Sequence, residues 1–332
     1  MTLHRDHEFA QWPHNFKYSP LCQDRILYCG QLDVYDQASR MLKELCQIQV
    51  SDSTIQRMCV HYGDLLEQDL YDVDKRQAAS TTAGPINEDT IYAQFDGGFI
   101  FSDDDWQEVK LGRVFLASDI QVVDSEDRGN VIKRSEYAAS LGHFTKFTSK
   151  FSVLIEELKA PGRQLVFLTD GAIWMKKWMT KYDDSAVQIL DFFHVCEHLG
   201  GFAKDVVSKI RKNHTQWYEQ RKEQLKAGKY DQVVKHIKEL PLRTKTAKKK
   251  RTKLLNYFSD NAYRMHYDKY LEAGYMIGSG PIEAAHRTVV QKRMKLSGQR
   301  WSDEGARPIL NLRCAFKSGR QSMVRTLIKK AA

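Results

Sequence analysis

The chain has 332 residues, 42% of them hydrophobic and 28% charged, with six cysteines and a formal net charge of +9. That length can bury a sizeable core in two or three domains or subdomains, and no run of 18 apolar residues is present to cross a membrane. The cysteines (Cys22, Cys29, Cys46, Cys59, Cys196, Cys314) form no CxxC pair, which argues against a zinc knuckle or a disulfide framework and for a reduced protein.

The opening MTLHRDHEFAQWPHN is polar and lacks the apolar centre of a signal peptide, so a cytoplasmic location is expected. From Ser19 to Leu70 the pattern is helical. Ala38, Met41, Leu42 and Leu45 share one face, Ser51 is placed to cap a second helix, and Ile55, Met58 and Cys59 point inward. Helix, tight turn and capped helix is the shape of a helix-turn-helix, and equally of an ordinary helical hairpin. Asp72 to Glu88 is polar, contains Gly84-Pro85, and reads as a linker.

Short strands follow. TIYAQFDGGFIF and WQEVKLGRVFLAS are two, and a weaker third lies around DIQVVD or NVIKRSEY, in the manner of an antiparallel meander. A helix is expected from about Glu136 to Lys159, with Phe144, Phe147, Phe151, Leu154 and Leu158 near helical spacing. Then come a buried strand, RQLVFLTD, an amphipathic WMKKWMTKY and another buried strand, AVQILDFFH. Beyond Cys196 the chain is helical and basic to about Tyr275. Lys204 to Lys253 holds 17 Lys/Arg against 5 Asp/Glu, a balance of +12, which leaves about −3 for the rest. A basic segment on a mildly acidic body suits a polyanion, nucleic acid above all, although a solvated helical face would look similar. Gly278-Ser279-Gly280-Pro281 interrupts, and PIEAAHRTVVQKRMK starts a new helix.

Three strands, helix, strand, helix, strand, helix is the order of an α/β ribonuclease-H-like fold. The basic all-α stretch would then be an insertion, and the N-terminal helices a separate region. This divides the chain into 1–71 (helical, a helix-turn-helix-like DNA-binding region), 72–88 (linker), 89–200 with 276–332 (catalytic) and 201–275 (basic insertion).

Three acids occupy special places in that layout. Asp96 lies late in the first strand, Asp170 ends the fourth, and Glu283 opens the final helix. Clustered carboxylates repel unless a cation or proton intervenes, and hard oxygen ligands suit Mg²⁺ or Mn²⁺. Two such ions about 4 Å apart serve phosphodiester chemistry. Each acid also has a plainer explanation. Asp96-Gly97-Gly98 and Asp170-Gly171 are turn formers, and Glu283 sits where an acid meets exposed helix N–H groups. Asp103, Asp104, Asp105 and Asp124 compete, but fall in expected loops.

The segments QFDGG, LTDGAIW, DFFHVCEHL and GSGPIEAAHRTVVQKRMKLSGQRWSDEGARPILNLR carry a resemblance that runs from about Tyr35 to Arg320. The chain resembles DDE transposases of bacterial insertion sequences, of the Kra group and allied to Mutator-type elements. The resemblance implies a metal-binding catalytic triad of Asp96, Asp170 and Glu283, with Asp191 and His194 of DFFH as accessory residues. Beyond Glu283, Arg287, Lys292, Arg293, Lys295 and Arg300 would hold phosphates, and Trp301 would stack on an unpaired base, unless they form an exposed basic face with one buried Trp. In the basic segment Lys248, Lys249, Lys250 and Arg251 are the expected backbone contacts.

The function expected is Mg²⁺-dependent (or Mn²⁺-dependent) cutting of element ends and joining of the 3′-hydroxyl to target DNA. The expected assembly is a homodimer on that DNA, associated with the nucleoid and not with a membrane. A structure-specific nuclease on the same fold, or an inactive DNA-binding regulator or relic, are the other readings.

Overall fold

The structure is a computed structural model that describes residues 16, 18–72, 74–75, 89–121, 131–171 and 173–330. Asp124 and most of the expected linker lie outside them. The chain is mixed α/β and divides into two compact units, Met1–Arg163 with Ile282–Ala332, and Gln164–Pro281. This cut differs from the one expected. The strand ending at Asp170 and the residues of DFFH group with the basic helices.

In the first unit, α2 (Tyr35–Cys46) and α3 (Asp52–Leu70) appear where the apolar spacing put them, although Leu45 of the expected α2 face is exposed, and α1 (Pro20–Leu32) precedes them within the stretch expected to be helical. Ser19 caps α1 and is followed by a proline preset for the first helical position. Gln47 ends α2 in the left-handed region, and the Ser51 hydroxyl accepts from the Thr54 N–H to start α3. Along α3 lie Asp52, Arg57, Asp64, Glu67 and Asp69, of which Glu67 pairs with Lys150 and Asp69 with Lys75.

The meander is β1 (Thr90–Ser102), β2 (Asp105–Leu116) and, after the small pair β3 (Ile120–Gln121) and β4 (Val131–Ile132), β5 (Glu136–Leu141). Its order is β5-β2-β1, antiparallel throughout. Asp103 (φ 48°) and Asp104 (φ 60°) form the two-residue turn between β1 and β2, both left-handed as a type I′ hairpin turn requires. Residues 136–141 were expected to open a helix, and they are a strand instead. EYAASL pairs along β2 and is buried at five of its six positions, so tertiary burial overrides the helical preference of its alanines. The helix itself, α4 (Phe144–Leu158), starts eight residues later than expected. It lays Phe147 and Phe151 on the meander, their rings stacked 5.2 Å apart, with Phe95 edge-on to Phe151.

After the second unit the chain returns in α11 (Gly280–Ala285), whose labels follow α5 to α10 below. It is continued by a π-helical turn (His286–Gln291) and a last turn (Lys292–Met294), then α12 (Asp303–Lys317) and α13 (Gln321–Lys330). One apolar core joins the N-terminal helices, the meander and these C-terminal helices, through residues such as Ile55, Leu66, Leu111, Val289, Leu310 and Val324. Two arginines are sunk into it. Arg313 donates to the carbonyls of Gln31, Thr288 and Val289. It thereby satisfies the end of α1 and carbonyls displaced by the π turn, each of which would otherwise be a buried orphan. Burial, then the neighbouring Arg293, push the Arg313 pKa down to about 10. Arg293 donates to Gly30 O at 3.2 Å and lies over the rings of Tyr35 and Trp301.

The second unit holds a parallel pair, β6 (Gln164–Thr169) and β7 (Val187–Leu190), joined through α5 (Ile173–Tyr182). The expected strand AVQILDFFH is cut short at Leu190. Asp191 instead accepts from the Phe193 N–H and caps α6 (Phe192–Asp205), so DFFH is a helix start. The basic helices are α7 (His214–Lys226), α8 (Tyr230–Lys238), α9 (Lys245–Asn261) and α10 (Tyr267–Glu272). Among the described residues no helix is long and apolar enough to cross a membrane.

Candidate active-site carboxylates

In the first unit Asp96 does not begin a turn. β1 runs on for six residues to Ser102, in register with β2 from Leu111 opposite Asp96 to Asp105 opposite Ser102. The Asp96 side chain is about one-third exposed (37%), and its Oδ1 accepts from the Gly97 N–H at 2.7 Å. Gly98 is explained by a neighbour. A β-carbon there would sit 2.9 Å from both Cε1 and Nδ1 of His286, closer than such atoms approach. The His286 imidazole, 4% exposed, enters the space that Gly98 leaves, with its Nε2 3.0 Å from the Asp96 carbonyl oxygen.

Glu283 lies in the first turn of α11 and is exposed. Of the basic residues beyond it, Arg287, Lys292, Lys295 and Arg300 are exposed. Lys295 hangs over the Trp106 ring, and Arg300 over Phe101 and beside Asp104. Arg293 faces inward, as described. Trp301 is half-buried under it, donating its Nε1–H to Met294 O at 3.1 Å. In this structure Arg293 and Trp301 belong to the packing of the first unit.

In the second unit Asp170 follows β6 directly, and again the glycine beside it is explained by a ring. A β-carbon on Gly171 would come 2.6 Å from Cε2 of Tyr257, on α9. The Tyr257 hydroxyl is buried and finds no hydrogen-bond partner among the described residues. Burial, then the Asp170 carboxylate, raise its pKa. Beneath lies Arg264, fully buried, whose guanidinium donates to the carbonyls of Thr169, Asp170 and Ile189 and to the Thr169 hydroxyl. One cation thus gathers the carbonyl ends of both parallel strands. Burial lowers its pKa.

Asp191 is 3% exposed and uses both oxygens, one for the cap and the other as acceptor for the Ser279 hydroxyl. His194 and His198, one turn apart on α6, bring their Nε2 atoms to 3.2 Å, and His198 lies against Tyr257 with ring centroids 4.3 Å apart. In the basic segment Lys248 and Lys249 are exposed, Lys250 pairs with Asp205, and Arg251 donates to the carbonyls of Lys238 and Leu240 at the end of α8.

His286, Tyr257 and Arg264 were absent from the residues singled out in the sequence. Glu283-x-x-His286 and the glycines after each aspartate were the only local traces of them. Among the described residues no three His, Cys, Asp or Glu side chains gather to hold a metal ion. The oxygens that Asp96, Asp170 and Glu283 offer are nevertheless the donors Mg²⁺ and Mn²⁺ take.

Fold and residues together define a mixed α/β protein with acids within a strand, at a strand end and at a helix start, and a strongly basic helical segment. The chain belongs to the family described as Uncharacterised protein family (UPF0236), whose profile matches residues 29–330. No curated protein matches it.

Proposed function

We propose that this protein is a DDE transposase with a ribonuclease-H-like catalytic fold. It would cut insertion-sequence ends and join the 3′-hydroxyl to target DNA, with Asp96, Asp170 and Glu283 as the catalytic acids. The observation that carries the reading is what the two Asp-Gly motifs do. Asp96-Gly97 does not serve a turn, because the strand continues through it. Beside each aspartate a glycine makes room for a ring, His286 in one unit and Tyr257 in the other. Both observations support the reading that the resemblance suggests.

Mg²⁺ or Mn²⁺, held by the three acids, would supply charge stabilisation at the phosphodiester. The protein's own residues do the rest. Exposed Arg287, Lys292, Lys295 and Arg300 bind phosphates on the strand being cut. Lys248 and Lys249 add contact to duplex without reading its sequence. Two ends must be processed together, so a homodimer on DNA is the simplest assembly.

The test uses labelled element ends and a target plasmid, with Mg²⁺. Cleavage and joining by the wild type, both lost in Asp96→Ala, Asp170→Ala and Glu283→Ala at unchanged folding and DNA affinity, is the expected result. Cleavage without joining would make the protein a nuclease. End binding without cleavage would make it a regulator or relic.

A further inference from the structure

His286 is costly to place. Its ring is almost wholly enclosed. The carbonyl of Asp96 can only accept, so Nε2 donates to it and the other ring nitrogen is Nδ1. That Nδ1 is buried and has no hydrogen-bond partner among the described residues. To admit the ring, β1 gives up a side chain at Gly98, two residues from Asp96 and so on the same face of the strand. A leucine or phenylalanine would fill such a space without stranding a nitrogen. What only an N–H donor supplies is the bond to Asp96.

The place of His286 in its own helix fits that purpose. It is three residues after Glu283 and opens the π-helical turn. Such turns are uncommon and recur where a helix must present side chains off its regular spacing. The displaced carbonyls of Thr288 and Val289 are held by Arg313, which keeps the turn in its unusual register. His286 Nε2 also stands 3.9 Å from Asp96 Oδ2, beside the carboxylate as well as the backbone.

We propose that His286 is a positioning residue for Asp96, fixing strand β1 at that residue to the helix that bears Glu283, so that the two acids keep one spacing. This rests on the transposase reading, and the test separates the two. End cleavage with Mg²⁺ is measured for wild type, His286→Leu, His286→Gln, Gly98→Ala and the double variant Gly98→Ala/His286→Leu. DNA affinity and melting temperature are measured for each. His286→Leu should lose about a hundredfold in kcat with little change in KM for DNA, the cost of misplacing a reacting group by roughly an ångström. Gln places an N–H₂ where Nε2–H was and should recover most of that rate. Gly98→Ala should fall as far as His286→Leu, because its methyl displaces the ring. The double variant should be no slower than His286→Leu, since the bond to Asp96 that the methyl would disturb is already gone.

Full activity of His286→Leu, no recovery with Gln, or multiplying losses in the double variant would overturn the proposal. A second readout does not depend on activity. In protein labelled with ¹³C-aspartate, the Asp96 carboxylate and carbonyl resonances should move in His286→Leu and return toward wild type in His286→Gln. Unchanged resonances overturn it even if the wild type proves inactive. Inactivity of the wild type with the expected shifts would sink the transposase reading alone.

Discussion

Tyr257 lies so close to Gly171 that a single β-carbon on the glycine would come within 2.6 Å of its ring. The residue after Asp170 is therefore glycine for a steric reason that comes from α9, about ninety residues away. Gly171→Ala should force the ring or the Asp170 backbone to shift and cost about 1–3 kcal/mol, the usual penalty of overpacking. Gly171→Ala/Tyr257→Leu should recover part of that loss. Urea denaturation of the three proteins checks it, and a neutral Gly171→Ala would show that the contact yields freely.

The Arg264 guanidinium has a larger effect. Arg264→Met keeps the apolar stem but takes away the donor shared by the Ile189 carbonyl and the Thr169 hydroxyl. A loss of about 2–4 kcal/mol is expected from such buried groups. Arg264→Lys should recover only part, because one ammonium cannot span all these acceptors. Equal stability of wild type and Arg264→Met would refute this account.

Phosphate contact by the basic segment is testable through salt. Lys248→Gln/Lys249→Gln should weaken binding to every duplex alike and flatten the salt dependence by roughly one unit of slope per contact. Arg251→Gln serves as a contrast. It releases the carbonyls of Lys238 and Leu240, so its main effect should be on stability. Affinity lost for only one sequence would assign Lys248 and Lys249 to base reading instead.

His198 sets a pH dependence. Burial first, then the charge of His194, hold its pKa below the ordinary 6.5. Between 6.5 and that lower value the unfolded chain takes up a proton that the folded protein refuses. Stability is therefore full above about pH 6.5, declines as pH falls through the window, and levels off below it. His198→Asn should flatten this decline, read as melting temperature against pH from 7.5 to 4.5. A His198 proton titration at or above 6.5 would remove the basis of the prediction.

Much of the architecture was legible because its signals are local. Ser51 before α3, Pro281 at the start of α11 and the apolar runs of β1, β2 and β6 all declare themselves within a few residues. EYAASL did not, because alanines with no alternation read as helix until β2 buries them. DFFH read as strand because its aromatics continue an apolar run, and only the Asp191 side chain turns it into a helix cap. Asp170 and Glu283 could be picked out because each stands at an element's end, whereas Asp96, expected late in its strand, lies in the middle of β1. His286, Tyr257 and Arg264 could not. Each acts on residues 75 to 190 positions away, across a separation that no window of sequence spans.

The shared core of the first unit has a consequence for synthesis. Residues 16–70 leave the ribosome first, yet Leu66 and Ile55 share their core with Leu310 and Val324, and the last turn of α1 has its Gln31 carbonyl held by Arg313. The helices made first must therefore wait, partly uncovered, while more than two hundred further residues are translated. At about 5–20 residues per second that interval lasts roughly ten seconds or longer. The Gln164–Pro281 unit, encoded as one uninterrupted stretch, completes its own contacts meanwhile. A released chain truncated at residue 281 would keep the second unit entire and leave the first with part of its apolar core open to chaperones and proteases.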